Sequence, residues 1–169
     1  MYEAKKQRTI KTTATLTGVG LHTGDRSTIT FKPAPENYGI VWSRTDIEGG
    51  VEIPALVDYV LQDDSIGSVR GTNLTKDGKV IYTVEHVMAA AAGLEIDNLR
   101  IELSASEPPV GDGSAMPYVE VLLKAGILEQ EASKNYLVIE ETLQYQNDKI
   151  GVDMDALPHD DIRATAMID

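Results

Sequence analysis

Threonine and other β-branched residues alternate with polar ones through the first third of the chain. The stretch RTIKTTATLTGVGLHTGDRSTITFKPAP, residues 8–35, is interrupted by Gly18, Gly20 and Gly24 and stopped by Pro33 and Pro35. Period-two alternation punctuated in this way predicts two or three short antiparallel strands. GIVWSR (39–44) predicts another strand, EIPALVDYV (52–60) a further one, and GTNLTKDGKVIYT (71–83) a hairpin turning at Asp77-Gly78. The pattern then changes. VEHVMAAAAGL (84–94) has strong helix formers, no proline and no polar face. It predicts a helix buried on most sides, with Thr83 as its N-cap and Gly93 just past its end. NLRIEL (98–103) reads as a strand, SEPPVGDGSA as a turn-rich loop, and PYVEVLLKAG (117–126) as a second helix with proline in its first turn and glycine at its end.

Strands first and helices late predict an α+β fold. The expected unit is a layered sheet-and-helix domain, two helices against a mainly antiparallel sheet, over residues 1–128. EQEASKN (129–135) is polar and reads as a linker. Beyond it, YLVIEETLQYQNDKIGVDMDA predicts strands joined by a turn at Asn147-Asp148, and DIRATAMID begins one more. Residues 136–169 are therefore expected to be the incomplete start of a second, similar domain, with a fragment boundary at Asp169.

Length and charge narrow the classes. A chain of 169 residues holds one ordinary domain, or one domain with a piece of another. A net charge of −12 disfavours a nucleic-acid surface. There is no apolar run long enough for a transmembrane segment, and MYEAKKQRTI lacks the apolar core of a signal peptide, so a cytoplasmic location is expected. The absence of cysteine rules out thiolate zinc sites, leaving His, Asp and Glu as metal donors. The histidines are His22, His86 and His159.

Glu85 and His86 open the apolar helix. Successive helical residues point about 100° apart, but in the first turn both side chains can reach a point just beyond the helix end. A helix N-terminus disfavours protonated histidine, and neutral imidazole is the form that ligates zinc, beside a carboxylate able to act on water. The simpler alternative is a Glu favoured by the helix dipole next to a hydrogen-bonded structural His. His22 lies among glycines that permit tight turns or close approach to a ligand, and otherwise reads as a hairpin histidine. His159 reads as exposed in a polar turn. Glu107 and Asp112 could serve as acids, although turn formation at Asp112-Gly113 and helix capping by Ser114 account for their surroundings.

Three blocks, GVGLHTGDRSTITFKPAPENYGI, RGTNLTKDGKVIYTVEHVMAAAAGLEIDN and EPPVGDGSAMPYVEVLLKAGI, together resemble the N-terminal domain of the UDP-3-O-acyl-N-acetylglucosamine deacetylase family. The resemblance spans residues 6–128 in order. It implies a zinc-dependent hydrolase of lipid A biosynthesis in Gram-negative bacteria, acting on UDP-3-O-acyl-N-acetylglucosamine, with its active site between two layered α+β domains. By the same resemblance His86 matches a zinc ligand, Glu85 the general base that acts on the hydrolytic water, and His22 a histidine close to the substrate. The family's other zinc ligands form a His-x-x-x-Asp pattern in the second domain, which no histidine here matches, since Arg163 stands four residues after His159.

A catalytic zinc normally takes three protein ligands. The isolated chain is therefore expected to be inactive and to need the remainder of the second domain as its partner. A non-catalytic binding or assembly domain of the same fold is the alternative, and edge-strand self-association is a possible contact of the sheet after Tyr136.

Overall fold

The computed structural model describes residues 5–62 and 71–167. They fall into two compact units, residues 1–134 and 135–169. In the first, a five-stranded sheet is formed by β2 (Ala14–Val19), β3 (Arg26–Pro33), β4 (Ile40–Arg44), β5 (Val51–Pro54) and β8 (Leu99–Leu103), in the order β2-β3-β8-β4-β5. All its pairings are antiparallel except β4 with β8. A parallel pair needs a long crossover. Here that connection contains a small hairpin, β6 (Leu74–Lys76) and β7 (Lys79–Ile81), followed by helix α1 (Glu85–Gly93). Helix α2 (Met116–Ala125) leads from β8 to β9 (Ile127–Ser133), which pairs antiparallel with β1 (Lys6–Ile10). The α+β arrangement expected from the sequence is the one observed.

Strand alternation decides which sheet face is covered. Ile29 and Phe31 on β3, Trp42 on β4, Ile53 on β5, and Leu99, Ile101 and Leu103 on β8 are all buried. Register places Phe31 opposite Ile101 and Trp42 beside it. Against this face pack Val87, Ala90 and Ala91 of α1 and Tyr118, Leu122 and Ala125 of α2, with Phe31 and Tyr118 in edge-to-face contact at 6.4 Å. The intervening side chains make the opposite face polar, where Lys32 meets Glu102 at 2.7 Å and Arg100 meets Glu52 at 3.0 Å. Burying one face and solvating the other fixes strand register, since a one-residue slip would exchange the two.

Several elements differ from the sequence expectation. Residues 52–60 are not one strand: β5 ends at Pro54 and a 3-10 turn follows over Val57–Tyr59. Proline removes the amide needed to continue a ladder, and Leu56 and Val57 are exposed despite their apolar character. Within EQEASKN, residues 129–133 belong to β9. Their polarity reflects a largely exposed strand held by polar contacts, with Glu36 Oε1 accepting the amides of Glu131 and Ala132 and the Gln130 side chain reaching Ala34 and Asn98.

Helix α1 is not buried on all sides in the folded protein, because Ala89 and Ala92 face solvent. Alanine keeps its high helix propensity there at little exposure cost. The helix also runs through Gly93 rather than stopping before it. Glu95 takes a left-handed conformation (φ 55°), while the amides of Glu95 and Ile96 return to the carbonyls of Ala92 and Ala91. This is a Schellman cap built on a non-glycine residue, and Lys5 and Arg8 each hold Glu95 at 3.0 Å.

The second unit contains one antiparallel pair, β10 (Leu143–Asn147) with β11 (Val152–Ala156). Residues 161–167 form no regular element, and the last two residues of the strand expected over 161–169 lie outside the described residues. Leu143, Tyr145, Met154 and Leu157 are exposed. A lone two-stranded hairpin is marginally stable in water. Hydrogen–deuterium exchange of this chain is therefore expected to show amides of residues 143–156 exchanging orders of magnitude faster than those of β3 and β8. Equal protection of the two sets would contradict that picture.

Candidate functional site

The loop after β8 carries a fully buried carboxylate, Glu107. Five donors converge on it. Its Oε2 accepts the backbone N–H groups of His22 (2.9 Å) and Thr23 (3.0 Å) and the Thr23 hydroxyl (3.1 Å). Its Oε1 accepts the Thr83 hydroxyl (2.8 Å) and lies 2.8 Å from Nδ1 of His22. Burial alone would raise the carboxyl pKa, but the hydrogen bonds from Thr23, His22 and Thr83 overcome it and hold the group at about 2.

Local chain geometry makes this approach possible. A Cβ at Gly20 would stand 2.5 Å from Glu107 Oε2 and 2.4 Å from the Thr23 hydroxyl, so glycine is required where the β2–β3 hairpin wraps the carboxylate. Val19 O accepts the Val110 amide and Ser106 O accepts the Tyr82 amide, tying both flanks of the acidic loop to neighbouring segments. The Tyr118 hydroxyl donates to the Pro109 carbonyl, which fixes the loop to α2. Burial, with the Glu107 charge nearby, pushes the Tyr118 phenol well above its ordinary pKa, so it remains a donor.

Thr83 is the junction between this carboxylate and α1. It does not cap the helix as the sequence suggests. The N-cap is Val84, without a side-chain cap, and the Thr83 hydroxyl turns to Glu107 instead. Thr83 adopts φ 56°, an unfavourable region for a buried β-branched residue, costing about 1–3 kcal/mol. Its amide is anchored by Asn73 Oδ1 at 3.0 Å. Surrounding hydrogen bonds thus over-determine a strained residue two positions before Glu85.

The three residues singled out from sequence stand as follows. Glu85, half-buried in the first turn of α1, accepts the Thr72 amide at 3.0 Å, and a Cβ at Gly71 would lie 3.2 Å from its Oε1. His86 is half-buried, and among the described residues its ring has no hydrogen-bond partner. His22 packs Nδ1 against Glu107 while half of its side chain remains exposed, and its Nδ1 is 3.3 Å from the Thr83 hydroxyl. Through Thr83 the structure brings His22 to the same end of α1 as Glu85 and His86. His159 is exposed and, among the described residues, bonded only to Asp161 within its own turn. Asp112 serves the turn before α2, accepting from the Ser114 amide and hydroxyl, while Ser114 Oγ accepts the Met116 amide.

Glu107 is the residue that sequence reasoning undervalued. The signal was present, because an acidic residue directly before Pro108-Pro109 in an otherwise apolar and small-residue loop has few local donors and must find its partners elsewhere. Its depressed pKa has a consequence with a definite sign. A carboxyl whose folded pKa lies below its unfolded one stabilises the fold above the unfolded value, and that contribution is lost as pH falls from about 4.5 toward 2. Urea unfolding measured across this window is expected to show a shallower acid limb in Glu107→Gln than in the parent chain. An identical pH dependence in both would contradict the assignment.

Known proteins show the family of this chain. Residues 7–169 match the family model for UDP-3-O-acyl N-acetylglycosamine deacetylase. The chain is 53% identical over 163 residues to the bifunctional enzyme LpxC/FabZ of Chlorobaculum tepidum, covering 96% of this chain and 34% of that protein. It is 50% identical over 137 residues to the UDP-3-O-acyl-N-acetylglucosamine deacetylase of Myxococcus xanthus, covering 81% and 42%. Against the enzyme of the same name from Chromohalobacter salexigens the identity is 43% over 164 residues, covering 97% and 52%. The chain thus spans between about a third and a half of these relatives' lengths. With the family model matching nearly its whole length, this chain belongs to the UDP-3-O-acyl N-acetylglycosamine deacetylase family.

Proposed function

We propose that this chain contributes the Glu85–His86 half of a zinc-dependent site that hydrolyses the acetamide of UDP-3-O-acyl-N-acetylglucosamine in lipid A biosynthesis. The observation that carries the reading is the juxtaposition at the start of α1: a carboxylate, an imidazole with no hydrogen-bond partner among the described residues, and a second imidazole presented by the β2–β3 hairpin. His86 fits a metal donor, because it is half-buried, held in the first turn of α1, and without a hydrogen-bond partner among the described residues. Among the described residues no group of three His, Asp or Glu side chains is placed to hold a metal, so further ligands belong to the remainder of the second domain under this proposal.

When bound, zinc supplies Lewis acidity toward a carbonyl oxygen and toward water. The chain's own residues do the following. Glu85, in the first turn of α1, takes the proton of the attacking water and passes it to the departing amine. Its contact with the Thr72 amide keeps the carboxylate directed along the helix end, with one oxygen engaged by the backbone. His22 meets the substrate with the exposed edge of its ring, the other edge being held by Glu107. A cytoplasmic location is part of the same proposal and agrees with a chain that contains no cysteine and depends on no disulfide. Among the described residues no helix is long and apolar enough to cross a membrane.

A non-catalytic assembly role would rest on the isolated hairpin β10–β11 and its exposed apolar side chains. The same feature is accounted for by strands that complete the second sheet. Acetate release by the natural gene product is the deciding assay. Glu85→Ala is expected to lower kcat by about 10²–10⁴ while zinc content stays unchanged. Undiminished turnover in that variant would overturn the role given to Glu85, and no turnover by the parent protein would favour the assembly reading.

A further inference from the structure

We infer that Glu107 is a positioning residue for His22: it fixes the neutral ring as the Nδ1–H tautomer and thereby makes the exposed Nε2 a hydrogen-bond acceptor for a hydroxyl of the substrate's sugar. The inference rests on the reading of His22 as substrate-proximal and adds to it the residue that sets how the ring presents itself. An ionised carboxylate only accepts hydrogen bonds. Every other group around Glu107 is a donor to it, namely the amides of His22 and Thr23 and the hydroxyls of Thr23 and Thr83. At 2.8 Å from Oε1, Nδ1 of His22 must therefore carry the proton in this contact. The Thr83 hydroxyl, 3.3 Å from the same nitrogen, gives its own proton to Glu107 at 2.8 Å and does not compete for the tautomer.

Exposure separates the two edges of the ring. Glu107 is completely buried and His22 is half-exposed, so the edge away from Nδ1 is the one that reaches solvent and ligand. In a histidine the hydrogen bond made at one nitrogen decides what the other can do. With Nδ1 protonated, Nε2 holds a lone pair that suits a sugar hydroxyl and opposes a phosphate oxygen unless the ring gains a second proton. The Glu107 carboxylate is itself immobilised by two backbone amides and by a loop pinned to α2, so ring orientation is set before any ligand arrives.

Long-range ¹H–¹⁵N NMR of the ¹⁵N-labelled chain in mildly alkaline buffer, with His22→Asn for assignment, reads the tautomer directly. The expected result is a single neutral form protonated at Nδ1, and a ring protonated at Nε2, or an even mixture, would overturn the proposal. In Glu107→Leu, which removes the acceptor without leaving a charge, the ring is expected to lose this preference while core methyl signals persist. Retention of the Nδ1–H form in the folded variant would count against Glu107. Should that variant fail to fold, Thr83→Val provides the second reading: the tautomer is expected to be unchanged, and a switch to Nε2–H would assign the control to Thr83 instead. In the acetate-release assay of the natural gene product, Glu107→Leu is expected to lower kcat/KM by about 10–100-fold and to add nothing further to His22→Ala. Full additivity of the two would contradict the coupling. A parent protein that releases no acetate would remove the deacetylation reading while leaving the tautomer result intact.

Discussion

A carboxylate withdrawn completely from water must be met by donors, and in this fold that requirement organises one end of the molecule. Glu107 gathers the β2–β3 hairpin, the residue preceding α1 and, through Pro109 and Tyr118, helix α2. These elements are far apart in sequence. Removing the Thr83 hydroxyl, a buried donor, would leave this fully buried carboxylate short of a partner at a cost of about 1–3 kcal/mol. Gly20 is the steric counterpart of this arrangement, since any side chain there would occupy the space the carboxylate needs. Stability and site geometry therefore share one device.

The hydrophobic core supplies the rigidity against which that device works. One face of the five-stranded sheet is covered by α1 and α2, and the helix that bears Glu85 and His86 is held by Val87, Ala90 and Ala91. Thr83, strained and buried, converts the position of the sheet-top loop into the position of the first helical turn. Backbone strain tolerated beside reactive groups is a common companion of function. Here it sits two residues before the carboxylate proposed as general base.

Much of the fold was readable because alternation and helix formers carried it. The β3, β4 and β8 strands and both helices lie where period-two and helical patterns place them, since each buries a face the sequence marks as apolar. Composition misled where polarity and exposure parted company. The stretch 129–133 is polar because β9 is solvent-facing, and its ladder with β1 is made by backbone groups that composition does not reveal. Val57 and Leu56 looked like strand interior but are exposed beyond Pro54. At the site, Glu85, His86 and His22 were visible as residue types in suggestive settings, and family resemblance gave them roles. Thr83 and Glu107 were named only as a helix cap and a candidate acid, because their contact spans 24 residues of sequence and no local pattern encodes the pairing.

Under the proposed function, His86 is one metal donor of a site that the described residues do not complete. Zinc titration of the metal-stripped chain, with His86→Ala as control, tests it most directly. The account predicts weak binding that disappears in the variant, because a single imidazole cannot retain zinc tightly. Tight, stoichiometric binding that survives His86→Ala would contradict it and would place the metal on other residues.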